Sequence, residues 1–171
     1  MGALFVSNGV LRGLTLVFLV ICMGLTGSLI QGQDFGVPQV NFVMFACVFG
    51  LLFGVLYTFA AMFISAIAFP AVIALFDFLN AVFCFAGATA LAVAMRVHSC
   101  TNHSYINSNK VSQGSTDRCR KGQADTVFLY FAFLTFLASL VLSISVGMRE
   151  GWGTLPSKKS VRPAPTMTQV A

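Results

Sequence analysis

Four stretches of this chain, residues 12–30, 40–64, 69–97 and 126–148, each reach the roughly 20 mostly apolar residues that cross the hydrocarbon core of a bilayer. A helix without a polar face cannot sit half in water, so each stretch must be surrounded by lipid or by other apolar helices. Charge is correspondingly scarce, at 9% of residues, where soluble domains carry roughly a quarter. The sequence therefore predicts an all-α membrane protein: a four-transmembrane-helix bundle over residues 1–148, followed by a basic, polar, disordered tail over 149–171.

The connections order the bundle. Only a tight turn separates the second and third runs, with Pro70 suited to the first turn of the third helix, so these two are antiparallel neighbours. The first link is short and carries Gly32, Gly36 and Pro38 as breakers, and residues 98–125 form the one sizeable loop. The first run is longer than the apolar part of a cleavable signal and no A-x-A site follows it, so it is expected to stay as a helix. Val6 stands where a myristoylation signal needs a hydroxyl.

Four spans place both termini on one side. That side carries Arg12, Arg149, Lys158, Lys159 and Arg162 against Arg96, Lys110, Arg118, Arg120 and Lys121 on the other, so positive charge does not set the orientation. The long loop does. It holds Cys100 and Cys119, a disulfide pair if the compartment is oxidising, and the sequon Asn102-His103-Ser104, a glycosylation candidate at Asn102. Both features predict an extracellular loop and cytoplasmic termini. His98 and His103 beside the two cysteines could be assembled into a zinc site, but three of the four groups crowd into six residues and the disulfide is the better reading, so no metal is assigned.

The net charge of +5 does not indicate nucleic acid, because the basic residues lie between or beside the apolar runs rather than on one face. They read as helix-end anchors, and Lys158, Lys159 and Arg162 as contacts to anionic lipid headgroups of the inner leaflet.

One acid lies deep in an apolar run. Asp77 sits in Phe76-Asp77-Phe78-Leu79-Asn80, and a carboxylate near mid-helix costs about 2.5–3.5 kcal/mol even on insertion scales, so it needs a partner or a purpose. Asn80, three residues on, shares its face. Arg12, expected to begin the first helix at the same end of the bundle, is the economical partner, close enough to the interface to snorkel. A proton or cation relay through Asp77 and Asn80 is the alternative, a small transporter or channel subunit, but a relay needs several ionisable groups in series. At the opposite end Arg96 and Asp125 are placed to pair across the hairpin.

Small residues supply the packing signal: the G-x-x-x-G of Gly50 and Gly54, the Gly24 and Ser28 pair, and Gly87 within a run of alanines. No nucleophile with a base, phosphate-binding loop or carboxylate pair occurs, so the chain is expected to be neither an enzyme nor the holder of a cofactor.

Several stretches are similar to a known family. Phe76-Asp77-Phe78-Leu79-Asn80, Arg96-Val97-His98-Ser99-Cys100, Ser104-Tyr105, Ser108-Asn109-Lys110, Gln113-Gly114-Ser115, Arg118-Cys119-Arg120 and Phe128-Leu129-Tyr130-Phe131 resemble the fungal non-classical export protein 2 family of MARVEL-domain four-helix membrane proteins. Arg12 and Met44-Phe45-Ala46-Cys47 extend the resemblance towards the start. It implies a scaffold of furrow-like plasma-membrane microdomains, associated with eisosomes, linked to sphingolipid status and to non-classical protein export. The partners it implies are a sphingolipid or sterol environment, other microdomain membrane proteins and further copies of the chain.

Overall fold

The computed structural model describes residues 2–64, 67–96 and 98–152, and all regular structure among them is helical. α1 (Gly2–Gln31) is followed by α2 (Pro38–Phe49), which runs without a break through a π-helical stretch, Gly50–Leu56, into α3 (Tyr57–Phe63). α4 (Pro70–Met95), the short α5 (His103–Ser108) and α6 (Thr116–Glu150) complete the order. Among the described residues four helical segments are long and apolar enough to cross a membrane: Val6–Gln31, Pro38–Phe63, Pro70–Met95 and Thr116–Arg149.

Local chemistry explains where these elements start. Pro38 and Pro70 lie in the first turns of α2 and α4, where the missing N–H is no loss and the fixed φ suits a helix. α6 begins well before the apolar run at 126 because its polar start is capped. The Ser115 hydroxyl accepts from the Arg118 N–H at 3.4 Å, Asp117 lies in the first turn, and Asp117 meets Lys121 one turn on at 2.7 Å. The expected loop over 98–125 is therefore largely ordered, and Asn102 caps α5 by accepting from the Tyr105 N–H. α1 likewise begins at Gly2, which puts Arg12 inside the helix rather than at its start. The tail with Lys158, Lys159 and Arg162 lies outside the described residues.

The helices form a ring in which α1 touches α2 and α6, and α4 touches α2 and α6. Paired residues give the directions. Thr15 meets Thr135 and Thr26 meets Asp125, so α1 and α6 are antiparallel, as are α4 and α6 through Asp77–Ser143 and Thr89–Tyr130. Leu19, Cys22, Val43, Cys47, Cys84, Leu91, Leu129 and Phe136 fill the centre. Valines, leucines and phenylalanines from all four segments, among them Val17, Phe45, Leu75, Phe78, Phe85, Leu134 and Val141, face outward. An apolar exterior of this extent needs lipid as its solvent.

Candidate functional site

The bundle's polar centre is built from α1, the π-helical stretch, α4 and α6. Arg12, Asp77 and Asn80 are fully buried. Arg12 Nη1 and Nη2 donate to the two carboxylate oxygens of Asp77 at 2.6 and 2.7 Å, a two-pronged pairing that matches charge and hydrogen-bond geometry together. Nη1 also donates to the Gly54 carbonyl at 2.9 Å, and the Ser143 hydroxyl donates to Asp77 Oδ2 at 3.0 Å. Being wholly enclosed, Arg12 does not snorkel, contrary to the sequence expectation. The ten helical residues that precede it carry it into the bundle.

Gly50 and Gly54 make this meeting geometrically possible. A Cβ on Gly54 would lie 2.5 Å from the Phe136 ring and 3.0 Å from Asn80 Nδ2, and one on Gly50 would lie 2.9 Å from Leu19. The pair therefore packs inside one bundle, and the wide π turn around it leaves the Gly54 carbonyl open to the guanidinium. Gly87 sits against Val43 at ordinary contact distance. Gly24 differs: it is exposed and a Cβ there would meet nothing within 4 Å, whereas Ser28 accepts a hydrogen bond from Lys121 Nζ at 2.9 Å and so links α1 to α6.

At the other end of the bundle, the loop end, Cys100 and Cys119 are bonded to each other, tying the segment after α4 to the first turn of α6. Their sulfurs are thus unavailable as metal ligands. Cys22, Cys47 and Cys84 remain free and buried. Asp125 does not pair with Arg96. It lies well inside α6, fully buried, and its Oδ2 accepts the Thr26 hydroxyl at 2.6 Å, while Arg96 is exposed at the α4 terminus. The longer α6 is the reason, since it turns Asp125 towards α1. The Tyr105 hydroxyl bonds the Met95 carbonyl, and burial pushes its phenol above the ordinary range, opposed by the nearby charge of Arg96.

Two contributors were not anticipated from sequence. Arg118, read there as an anchor, is almost fully buried and donates to the carbonyls of Leu29 and Val111 at 2.8 and 3.2 Å. Thr135, Ser139 and Ser143 form a hydroxyl stripe on α6 facing the polar centre, and their four-residue spacing was the available signal.

The chain is comparable with known proteins along most of its length. The MARVEL family model, described as a membrane-associating domain, matches residues 4–142. Non-classical export protein 2 of Saccharomyces cerevisiae is 45% identical over 141 residues, covering 82% of each chain. Non-classical export protein 102 of Candida albicans is 45% identical over 174 residues, covering 98% of this chain and 99% of its own. A Schizosaccharomyces pombe homologue of non-classical export protein 2 is 31% identical over 147 residues, covering 85% of this chain and 80% of its own. No solved structure matches the chain significantly. MARVEL is a membrane-associating family and not an enzyme family. With the domain matched from residue 4 to 142 and relatives this similar over nearly the whole length, the chain belongs to the MARVEL family and, within it, to the non-classical export protein 2 relatives.

Proposed function

We propose that this chain is a membrane-organising scaffold of plasma-membrane microdomains, associated with eisosomes, responsive to sphingolipid status and linked to non-classical protein export. One observation carries the reading: the charge inside the terminal half of the bundle is consumed in the closed Arg12–Asp77 pair, while apolar side chains from every spanning segment face outward. Such a molecule acts by lateral packing with lipid and neighbouring proteins, including further copies of itself, rather than by chemistry. The names of the related non-classical export proteins support the export link. The Cys100–Cys119 bond supports an oxidising, extracellular position for the loop over 98–125, with Asn102 available for glycosylation and both termini in the cytoplasm. There Lys158, Lys159 and Arg162 would meet anionic inner-leaflet lipids, and replacing all three by Gln should weaken binding of the tail to anionic vesicles.

The test is imaging of a fluorescent fusion in fungal cells. Stable cortical patches are expected, and a uniform rim or an internal compartment would contradict the scaffold. A second reading, a small transporter or channel subunit using Asp77 and Asn80, is favoured by one observation: Asn80 Oδ1 is buried without a hydrogen-bond partner among the described residues. Ion flux through reconstituted vesicles that both Asp77→Asn and Asp77→Leu abolish would establish it.

A further inference from the structure

Between the last turn of α4, the first turn of α2 and the segment running from α5 to Val111 lies a cavity of about 690 Å³. Its lining holds Arg96 and Lys110, with His98, Asn102 and Ser104 adding polar side chains, and no carboxylate. The acids of the loop end are engaged elsewhere. Asp117 pairs with Lys121, Asp125 takes the Thr26 hydroxyl, and the charge of Asp34 bears on Arg118. Neither Arg96 nor Lys110 has an ion-pair partner among the described residues.

Arg96 also occupies an unusual backbone position. It ends α4 in the left-handed conformation, φ 44° and ψ 58°, where glycine is usual and a branched or long side chain is held at a cost. Local strain of this kind persists where the surroundings require it, and it recurs at ligand sites. Here the strained residue's side chain lines the cavity.

We propose that this cavity binds a phosphate group, held by the unpaired Arg96 and Lys110 charges and by the polar side chains around them. The phosphate of a lipid headgroup is the source the geometry favours. Val93, 70% exposed on the outward face of α4, is part of the same lining, so acyl chains can follow α4 while the headgroup enters the cavity. A soluble phosphate ester shares the chemistry but makes no use of Val93. The site stands at the opposite end of the bundle from the C-terminal end of α6 and is independent of the scaffold reading and of membrane orientation.

The test uses the full chain in maltoside micelles, which contain no phosphate, titrated with phosphatidylglycerol and read by native mass spectrometry. Three proteins are compared: wild type, Arg96→Asn with Lys110→Gln, and a tail control with Lys158, Lys159 and Arg162 all changed to Gln. Asn tolerates the left-handed conformation, so the fold is retained. Lys110→Gln alone, on an exposed loop residue, covers the case in which the double variant does not fold. Each near-surface charge contributes about fivefold, so the double cavity variant should hold its tightest lipid roughly 30-fold more weakly and Lys110→Gln about fivefold, while the tail control should lose only the weaker, salt-sensitive tail contact and keep the cavity affinity. Glycerol 1-phosphate is the soluble arm. Displacement of the lipid only at far higher concentrations supports the headgroup source, and binding as tight as the lipid's supports the same site with a soluble source. Unchanged affinity in the folded cavity variants, loss confined to the tail control, or no binding by wild type would overturn the proposal.

Discussion

Each end of this bundle buries one arginine and one aspartate, and the two ends treat them differently. At the terminal end Arg12 and Asp77 meet directly, with the Gly54 carbonyl and the Ser143 hydroxyl as further partners, and Arg12 Nε alone of the guanidinium nitrogens has no partner among the described residues. At the loop end Arg118 and Asp125 do not meet: the arginine donates to the Leu29 and Val111 carbonyls and the aspartate takes the Thr26 hydroxyl. The loop end is tied instead by the covalent Cys100–Cys119 bond and by the side-chain caps that start α5 and α6. Arg12 is fully enclosed by four segments, so only a counter-ion can offset its desolvation, whereas Arg118 keeps slight exposure and reaches backbone acceptors in the last turn of α1 and in the turn between α5 and α6. Charge holds one end together, and a bond and caps hold the other.

Mutations that separate the two ends should follow that order of size. Asp77→Leu strands Arg12 and should cost about 3–5 kcal/mol, with Asp77→Asn milder because part of the hydrogen bonding survives. Thermal unfolding in detergent measures both, and equal stability of Asp77→Leu and wild type would erase the contrast. Removing the disulfide with Cys100→Ser and Cys119→Ser should cost about 2–4 kcal/mol. The bond itself is checked by non-reducing peptide mapping, and alkylatable thiols at both positions in protein from the cell surface would count against it. Gly54→Ala forces a methyl group into Phe136 and should cost about 1–3 kcal/mol, whereas Gly24→Ala, with open space around it, should be neutral or slightly stabilising. Smallest is Asp125→Asn. It keeps an acceptor for Thr26 and strands no cation, so a loss of less than about 1 kcal/mol is expected. A loss matching that of Asp77→Leu would mean that Asp125 has an ionic role after all.

The sequence was most informative where membrane physics leaves few options. Apolar runs announce spans because lipid admits no unsatisfied backbone, and Asp77 stands out because few other residues in those runs are polar. Helix starts were hidden wherever polar residues continue a helix. Residues 116–125 have no apolar rhythm, and only the Ser115 cap and the Asp117–Lys121 spacing mark α6 as already begun there. That single boundary decided where Asp125 points, and the corresponding extension of α1 decided how deep Arg12 lies. The π-helical stretch left no trace beyond Gly50 and Gly54, because its register depends on α1, α4 and α6 closing around it. The cavity beside Arg96 was equally hidden, since it is assembled from α2, α4 and α5.

The central claim is that Arg12 and Asp77 form one closed structural unit. A double-mutant cycle tests it most directly: wild type, Arg12→Leu, Asp77→Leu and the double variant, each purified in the same detergent and compared by thermal unfolding. Both single changes leave a buried charge alone, so the double variant should recover much of either loss, with a coupling of at least about 2 kcal/mol. Losses that add to within about 0.5 kcal/mol would contradict the pair and return Asp77 to a role in transport.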